Sequence, residues 1–230
     1  RDRLRSRGLG DVYKRQVLDT DTKLRPDYPE GQFKVVLPRP HLNKSWTQSG
    51  GNSVHRMEHL ETGNKLKGFW ESNFGTGNSR RDYLIAEPVI AYKVVFAIDA
   101  DATVSAYRLD DGERIWKRRL KPLLKEDKST ALKGAGLAEY NKKIYATTGF
   151  GGVFALDMTS GKKIWFYNAG MPIRIAPTIA NNRLLVQTID NSLISLNATT
   201  GQEEWRYKSA MEQTTLVGGA SPAYDPAQDL

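Results

Sequence analysis

Short apolar runs, broken by Gly, Asn and Asp, fill the middle of the chain. Val94–Ala97 leads to a turn at Asp99–Asp101 and a second run, Thr103–Tyr107. Ile144–Thr147 leads through Gly149–Gly152 to Val153–Leu156, and Leu184–Gln187 through Asp190-Asn191 to Leu193–Leu196. Short β-rich runs separated by such residues predict hairpins. Each hairpin runs into the same pattern: a small residue, a Gly six positions on, and a Trp four beyond the Gly. The copies are Ala106…Gly112…Trp116, Ala155…Gly161…Trp165 and Ser195…Gly201…Trp205, with Asp157 and Asn197 at the third position of the last two. The Trp residues recur at intervals of 49 and 40 (165−116 and 205−165).

The segment between the small residue and the Gly reads as a second turn. Its Asp or Asn can bond its own backbone, and its Gly can take positive φ. The Trp then falls on an outermost strand. A further strand precedes each unit, marked by Ala86-Glu-Pro88 and Ala176-Pro177, with Leu137 at the matching place in the middle copy. Pro has no ladder donor and suits an edge. Four antiparallel strands in a unit of about 40–45 residues describe a propeller blade, so the fold class is all-β.

The pattern A-x-D-x-x-x-G-x-x-x-W resembles the tryptophan-docking motif of quinoprotein-type (PQQ-like) β-propellers. Upstream, Leu37-Pro-Arg-Pro40, Asn43-Lys-Ser-Trp46-Thr-Gln-Ser-Gly-Gly-Asn52, His55 and His59-Leu60 resemble the start of the BamB family, propeller lipoproteins of the outer-membrane β-barrel assembly machinery. The resemblance covers about Val17 to Leu230. It implies an eight-bladed ring, which at about 40–45 residues per blade needs roughly 320–360 residues; with 230, the chain reads as about four blades begun, the last opening at Ala220-Ser-Pro222-Ala-Tyr224. The expected organisation is a leader over residues 17–45 and a partial propeller over 46–230. Within it, Trp46 to Trp70 is an irregular first repeat with a turn at Gly50-Gly51-Asn52.

Residues 1–16 have no apolar period and resemble translated sequencing-adaptor read-through; the alternative is a basic disordered arm. They carry six Lys/Arg and two Asp/Glu, so they supply +4 of the formal +8, leaving 28 − 24 = +4. That excess is too mild to imply nucleic acid. There are no cysteines, hence neither disulfides nor thiolate chemistry.

Candidate chemistry is sparse. His55-Arg-Met-Glu-His59 fits the inverted zinc-protease pattern, which needs a helix and a third ligand; a Gly-rich strand-forming context favours two loop histidines and no metal. Asp99, Asp101, Asp157 and Asp190 fall in repeat turns, where turn-making accounts for them. Gly149–Gly152 is not a phosphate loop, since no Lys-Ser/Thr follows. The longest connection, Lys117–Lys133, carries seven Lys/Arg, among them Arg118, Arg119 and Lys121, against Glu126 and Asp127. It reads either as a solvated loop or as a docking loop for an acidic partner. In the shorter connection, Met171, Ile173 and Arg174 loosely match the segment that in BamB-like proteins meets BamA.

The resemblance therefore implies a non-catalytic scaffold without cofactor at the periplasmic face of the outer membrane. It would bind BamA-like periplasmic domains and unfolded outer-membrane protein strands, and hold to the membrane through a lipid anchor upstream. The alternatives are a fragment of a PQQ-dependent dehydrogenase, or a propeller interaction domain with another partner.

Overall fold

The structure, a computed structural model, describes residues 34, 36–63, 65, 67–80, 83–122, 133–209 and 219–225. The chain divides into two units, Arg1–Leu37 and Pro38–Leu230. Of the first, Lys34, Val36 and Leu37 are described, and all are exposed. The expectations for residues 1–16 and for most of the leader lie outside the described residues. Every blade belongs to the second unit.

Three antiparallel sheets of four strands follow one another. The first holds β1 (Val89–Ala91), β2 (Val94–Ile98), β3 (Thr103–Arg108) and β4 (Arg114–Arg119). The second holds β5 (Gly134–Tyr140), β6 (Lys143–Thr148), β7 (Gly152–Asp157) and β8 (Lys163–Asn168). The third holds β9 (Thr178–Ala180), β10 (Arg183–Gln187), β11 (Ser192–Asn197) and β12 (Glu203–Lys208). Strand order equals chain order in each, and no helix occurs among the described residues. The expected incomplete propeller of four-stranded blades is what forms. The first strands of the blades face inward, and β4, β8 and β12, largely exposed, make the rim.

The first hairpin of each blade turns through two residues of positive φ: Tyr92 and Lys93, Asn141 and Lys142, Asn181 and Asn182. Two consecutive positive φ values mark the turn whose twist matches the flanking strands. Asn adopts them readily, whereas Tyr92 and Lys93 do so at a cost that the paired strands offset.

The repeated motif is explained by what crosses it. Ala106 pairs with Phe96 on one side and Trp116 on the other; Ala155 lies likewise between Tyr145 and Trp165, and Ser195 between Leu185 and Trp205. Cross-strand partners share a face. A small central residue lets the flanking rings meet above it, with centroids 5.9 Å apart for Phe96–Trp116 and 5.8 Å for Tyr145–Trp165. The ladder shifts register just after each small residue, at Ala106/Tyr107, Ala155/Leu156 and Ser195/Leu196. Such bulges bend a strand and re-aim its side chains.

Trp116 and Trp165 then lie on the next blade. A Cβ on Gly161 would come within 2.5 Å of the Trp116 ring, and one on Gly201 within 2.6 Å of Trp165. Trp116 Nε1 donates to Met158 O (2.9 Å) and Trp165 Nε1 to Ala198 O (3.0 Å), in each case the carbonyl three residues before the Gly. Tyr145 Oη donates to the same Ala198 oxygen at 3.0 Å. Trp70 makes the same contact with the first complete blade: its ring lies 2.5 Å from a Cβ placed on Gly112, and its Nε1 donates to Leu109 O at 2.7 Å. Trp205, whose following turn is not among the described residues, is 42% exposed.

Turn carboxylates and amides close the remaining corners. Asp157 Oδ1 accepts from Ser160 N (2.8 Å) and Oγ (2.7 Å), and Asn197 Oδ1 from Thr199 N (3.0 Å) and Thr200 N (3.1 Å). In the first copy Arg108 replaces the Asp and bridges Asp111 and Glu113 at 2.5 and 2.7 Å.

Segment 46–70 departs from expectation. Trp46–Gln48 forms no blade strand but crosses the inner strands, bridging Ile90 and then Ala138. Beside it, Glu139 is 6% exposed, and Oε1 accepts from Lys142 N at 3.0 Å. Burial pushes its carboxyl up, against the smaller opposing effect of that hydrogen bond.

Gly161→Ala should destabilise the chain by about 2–4 kcal/mol, from positive-φ strain and overpacking against Trp116. Gly170→Ala, at φ +78 with nothing within 4 Å of the added Cβ, should cost only the backbone part, about 1 kcal/mol. Urea unfolding compares the two, and equal losses would remove the docking clash from the account. For Glu139, the native state holds a proton that the unfolded state releases at lower pH, so stability is lost as pH rises through the raised native value. Glu139→Gln should therefore raise Tm at pH 7, and the gain should vanish once pH falls below the ordinary carboxylate range.

Candidate partner-binding face

Antiparallel order puts the two turns of every blade edge on opposite faces. The β1–β2 and β3–β4 turns and their second- and third-blade counterparts lie on one face, where the docking glycines sit. The β2–β3, β6–β7 and β10–β11 turns lie on the other, together with the connections between blades. All the expected partner residues belong to these connections or to the strand ends that enter them.

The connection from β8 to β9 is tightly held. Ala169 N donates to Gly151 O (2.9 Å), Ile189 N to Pro172 O (3.0 Å) and Thr147 Oγ1 to Ile175 O (2.8 Å). The backbone of Ala176 lies against Gly136, at a place a side chain would fill; Gly within a strand marks such an approach. In this fixed loop Met171 is 37% exposed and Ile173 is 0% exposed. Ile173 thus corrects the expected interface: it joins the core shared by the second and third blades, packed among residues such as Ile179 and Leu184. Arg174 is half-buried and lines a small cleft of about 120 Å³ with Ser49, Glu87 and Ser221. Ser49 Oγ donates to Glu87 Oε2 there at 3.2 Å.

The basic connection also divides. Arg118 lies on β4, and its Nε donates to Gly161 O at 2.9 Å, beside the docked Trp116. It fastens blade to blade while its side chain stays exposed. Arg119 Nη2 reaches Asp101 Oδ2 (2.9 Å), and Lys133 Nζ reaches Asp101 Oδ1 (2.7 Å). The Lys133 ammonium, helped by Arg119, holds the Asp101 carboxyl below its ordinary value, against the effect of burial. One carboxylate of the β2–β3 turn thereby ties down both ends of the connection. Lys121 is exposed; residues 123–132 lie outside the described residues.

The histidine pattern does not converge. Residues 55–59 are not helical, and His55 takes φ +52. Its Nε2 lies 3.4 Å from Thr178 Oγ1, whereas His59 Nδ1 lies 2.7 Å from Pro38 O. Among the described residues no group of three or more His, Cys, Asp or Glu gathers to hold a metal. The turn carboxylates are already engaged: Asp99 accepts from Asp101 N, Thr103 N and Thr76 N, and Asp190 accepts from Thr188 Oγ1. A calcium-assisted quinone site does not fit these residues.

Sequence reasoning missed the crossing of Trp46–Gln48 and the docking role of Trp70. The latter had a signal: Trp70 precedes Gly112 by 42 positions (112−70), between the 45 (161−116) and 36 (201−165) of the other docked pairs.

Comparison with known proteins agrees with this architecture. The outer membrane protein assembly factor BamB of Shewanella oneidensis is 28% identical over 160 residues, 68% of this chain and 40% of that protein. The quinoprotein ethanol dehydrogenase of Pseudomonas aeruginosa is 34% identical over 76 residues, 29% of this chain and 12% of that enzyme. The chain thus spans well under half the length of these relatives. Among solved structures, BamB from Moraxella catarrhalis aligns with a TM-score of 0.50 at 18% identity, covering 62% of this chain and 43% of that one. The quinohemoprotein alcohol dehydrogenase ADHIIG of Pseudomonas putida aligns at 0.61 and 19%, covering 72% and 26%; at such identities the likeness is one of fold. A sequence profile described as outer membrane protein assembly factor BamB matches residues 100–229, more than half of the 230 residues. The chain belongs to the BamB family.

Proposed function

We propose that the chain is part of a non-catalytic scaffold for outer-membrane protein assembly, working at the periplasmic face of the outer membrane. Its connection face would meet BamA-like periplasmic domains and present unfolded outer-membrane protein strands to them. An anchor on a lipidated upstream segment, as the family resemblance implies, would keep it at the membrane. The observation that carries this reading is the family match over residues 100–229, the stretch that also contains the connection face. There Met171 and Arg174 stand on a loop fixed by backbone hydrogen bonds. An exposed apolar side chain next to a cation on a rigid support suits an interface anchor. Arg119 and Lys121 extend the same face with positive charge, which would speed encounter with an acidic partner.

The second reading, a quinoprotein dehydrogenase fragment, draws on the similarity over 76 residues to the Pseudomonas aeruginosa enzyme. Against it, the turn carboxylates Asp99 and Asp190 that could serve a cation already accept hydrogen bonds from their own turns. Similar repeats host different functions, because function lives in the site.

The test is retention of the purified chain on immobilised periplasmic domains of BamA from the same source. Arg174→Glu should weaken retention about tenfold or more, the scale of a buried interface anchor, and leave Tm unchanged within about 2 °C. Ile173→Ala should do the reverse: lower stability by about 2–4 kcal/mol as a core truncation, with retention kept at temperatures where the chain is folded. A folded chain that shows no retention would overturn the scaffold reading.

A further inference from the structure

The inner strands of the three complete blades and the opening of a fourth share one donor. It is the N–H two residues after the Pro that begins the inner strand: Ile90 after Pro88, Ile179 after Pro177, Tyr224 after Pro222, and Glu139 after Leu137, which stands in the Pro position. All four donors end on one thread. Ile90 N donates to Trp46 O (2.7 Å), Glu139 N to Thr47 O (2.6 Å), Ile179 N to Gln48 Oε1 (2.9 Å) and Tyr224 N to Ser53 O (2.8 Å). Two carbonyls answer: Ile90 O accepts from Trp46 N at 2.7 Å, and Ile179 O from Gln48 Nε2 at 3.1 Å. The buried Gln48 carboxamide therefore does for β9 what a peptide group would do, offering a donor and an acceptor side by side.

The donors are a property of the fold, because they occupy the same register in every blade. The thread reads them with backbone atoms and one amide, and inserts no large apolar side chain between blades. The Trp46 ring instead lies over its own turn, 3.6 Å from a Cβ placed on Gly51. Recognition of an extended chain by backbone pairing at a free strand edge, with a side chain or two adding specificity, is the chemistry of β-augmentation. We propose that the row of inner-strand N–H groups is a peptide-binding slot, filled here in cis by residues 46–53. It would accept in trans an extended polypeptide that offers backbone carbonyls and a carboxamide at the place of Gln48. This site is separate from the connection face, and the proposal stands whatever docks there.

The test uses the full chain, with residue-resolved amide hydrogen exchange and a synthetic peptide of residues 43–56 as the probe. In Gln48→Leu, the amides of Ile90, Glu139, Ile179 and Tyr224 should exchange faster together, by about tenfold or more. Added wild-type peptide should restore their protection, and a peptide carrying Q48L should not. Faster exchange at Ile179 alone, no faster exchange anywhere, or protection that the peptide fails to restore would each overturn the proposal. Should Gln48→Leu not fold, the wild-type chain serves: a photo-crosslinking group at position 49 of the peptide, which keeps the Gln48 carboxamide, should capture β9 and its flanks, and absence of that crosslink would overturn the slot.

Discussion

A tryptophan laid on the turn of the next blade is the contact on which the rest of the structure depends. It sets requirements at three places in every repeat. The glycine must lack a Cβ, because the indole occupies that space, and it must take positive φ, because the turn is tight. The residue that opens the motif must be small, because an aromatic or Leu from the second strand and the Trp from the fourth close over it. The carbonyl three residues before the glycine must be free to accept the indole N–H. Each blade is thus completed by its neighbour, and stability accumulates as a sum of such interfaces. Arg118 strengthens one of them by bonding the docked turn's own carbonyl, and at the next Tyr167 reaches Glu203, which Arg206 also holds.

Because these requirements are local and strict, they were legible. The spacing of Ala155, Gly161 and Trp165 and its two copies sufficed for the fold class, the strand order and the identity of the rim strand. The first hairpin turns were legible in part. Asn181-Asn182 and Asn141-Lys142 carry residues that accept positive φ, but Tyr92-Lys93 carries no such mark, and only the pairing of β1 with β2 dictates its conformation. Less was legible at the candidate face. An alternating pattern such as Met171-Pro-Ile173-Arg174 does not say which apolar residue points outward, and burial separates two that sequence treats alike. A basic run likewise does not say which charge is engaged: Arg118, Arg119 and Lys121 are neighbours, yet the first serves the rim, the second Asp101, and the third solvent. The thread was not legible at all, since three consecutive residues that pair with three different strands leave no period to detect.

The two faces of the array differ in what they are free to do. The face that carries the docking glycines is committed to holding blades together. The opposite face carries the connections, whose length varies between 21 residues (137−116) and 12 (177−165) without disturbing the repeat. Variation is tolerated there because the connection is fastened at its ends, by Asp101 to Arg119 and Lys133 in one case and by Gly151, Thr147 and Ile189 in the other. Loops pinned at the base on a rigid frame can change sequence, and hence partner, with little cost to the fold.

A frame of this kind still has an inner edge. Paired strands leave their last row of N–H and C=O groups unmet, and in most sheets that row is capped by charge, by a bulge or by another strand. Here the inner strands converge, so one extended segment can satisfy several blades at once, and Trp46 to Ser53 does so. The Gln48 carboxamide matters because the inner strands are spaced by the packing of whole blades, which a continuous backbone cannot match residue for residue. A side-chain amide bridges the mismatch at the third blade, and the turn at Gly50-Gly51 carries the chain on to the fourth. The thread is thus fitted to the array by one flexible group rather than by its full sequence, and an array that asks so little of its occupant can also read another extended chain.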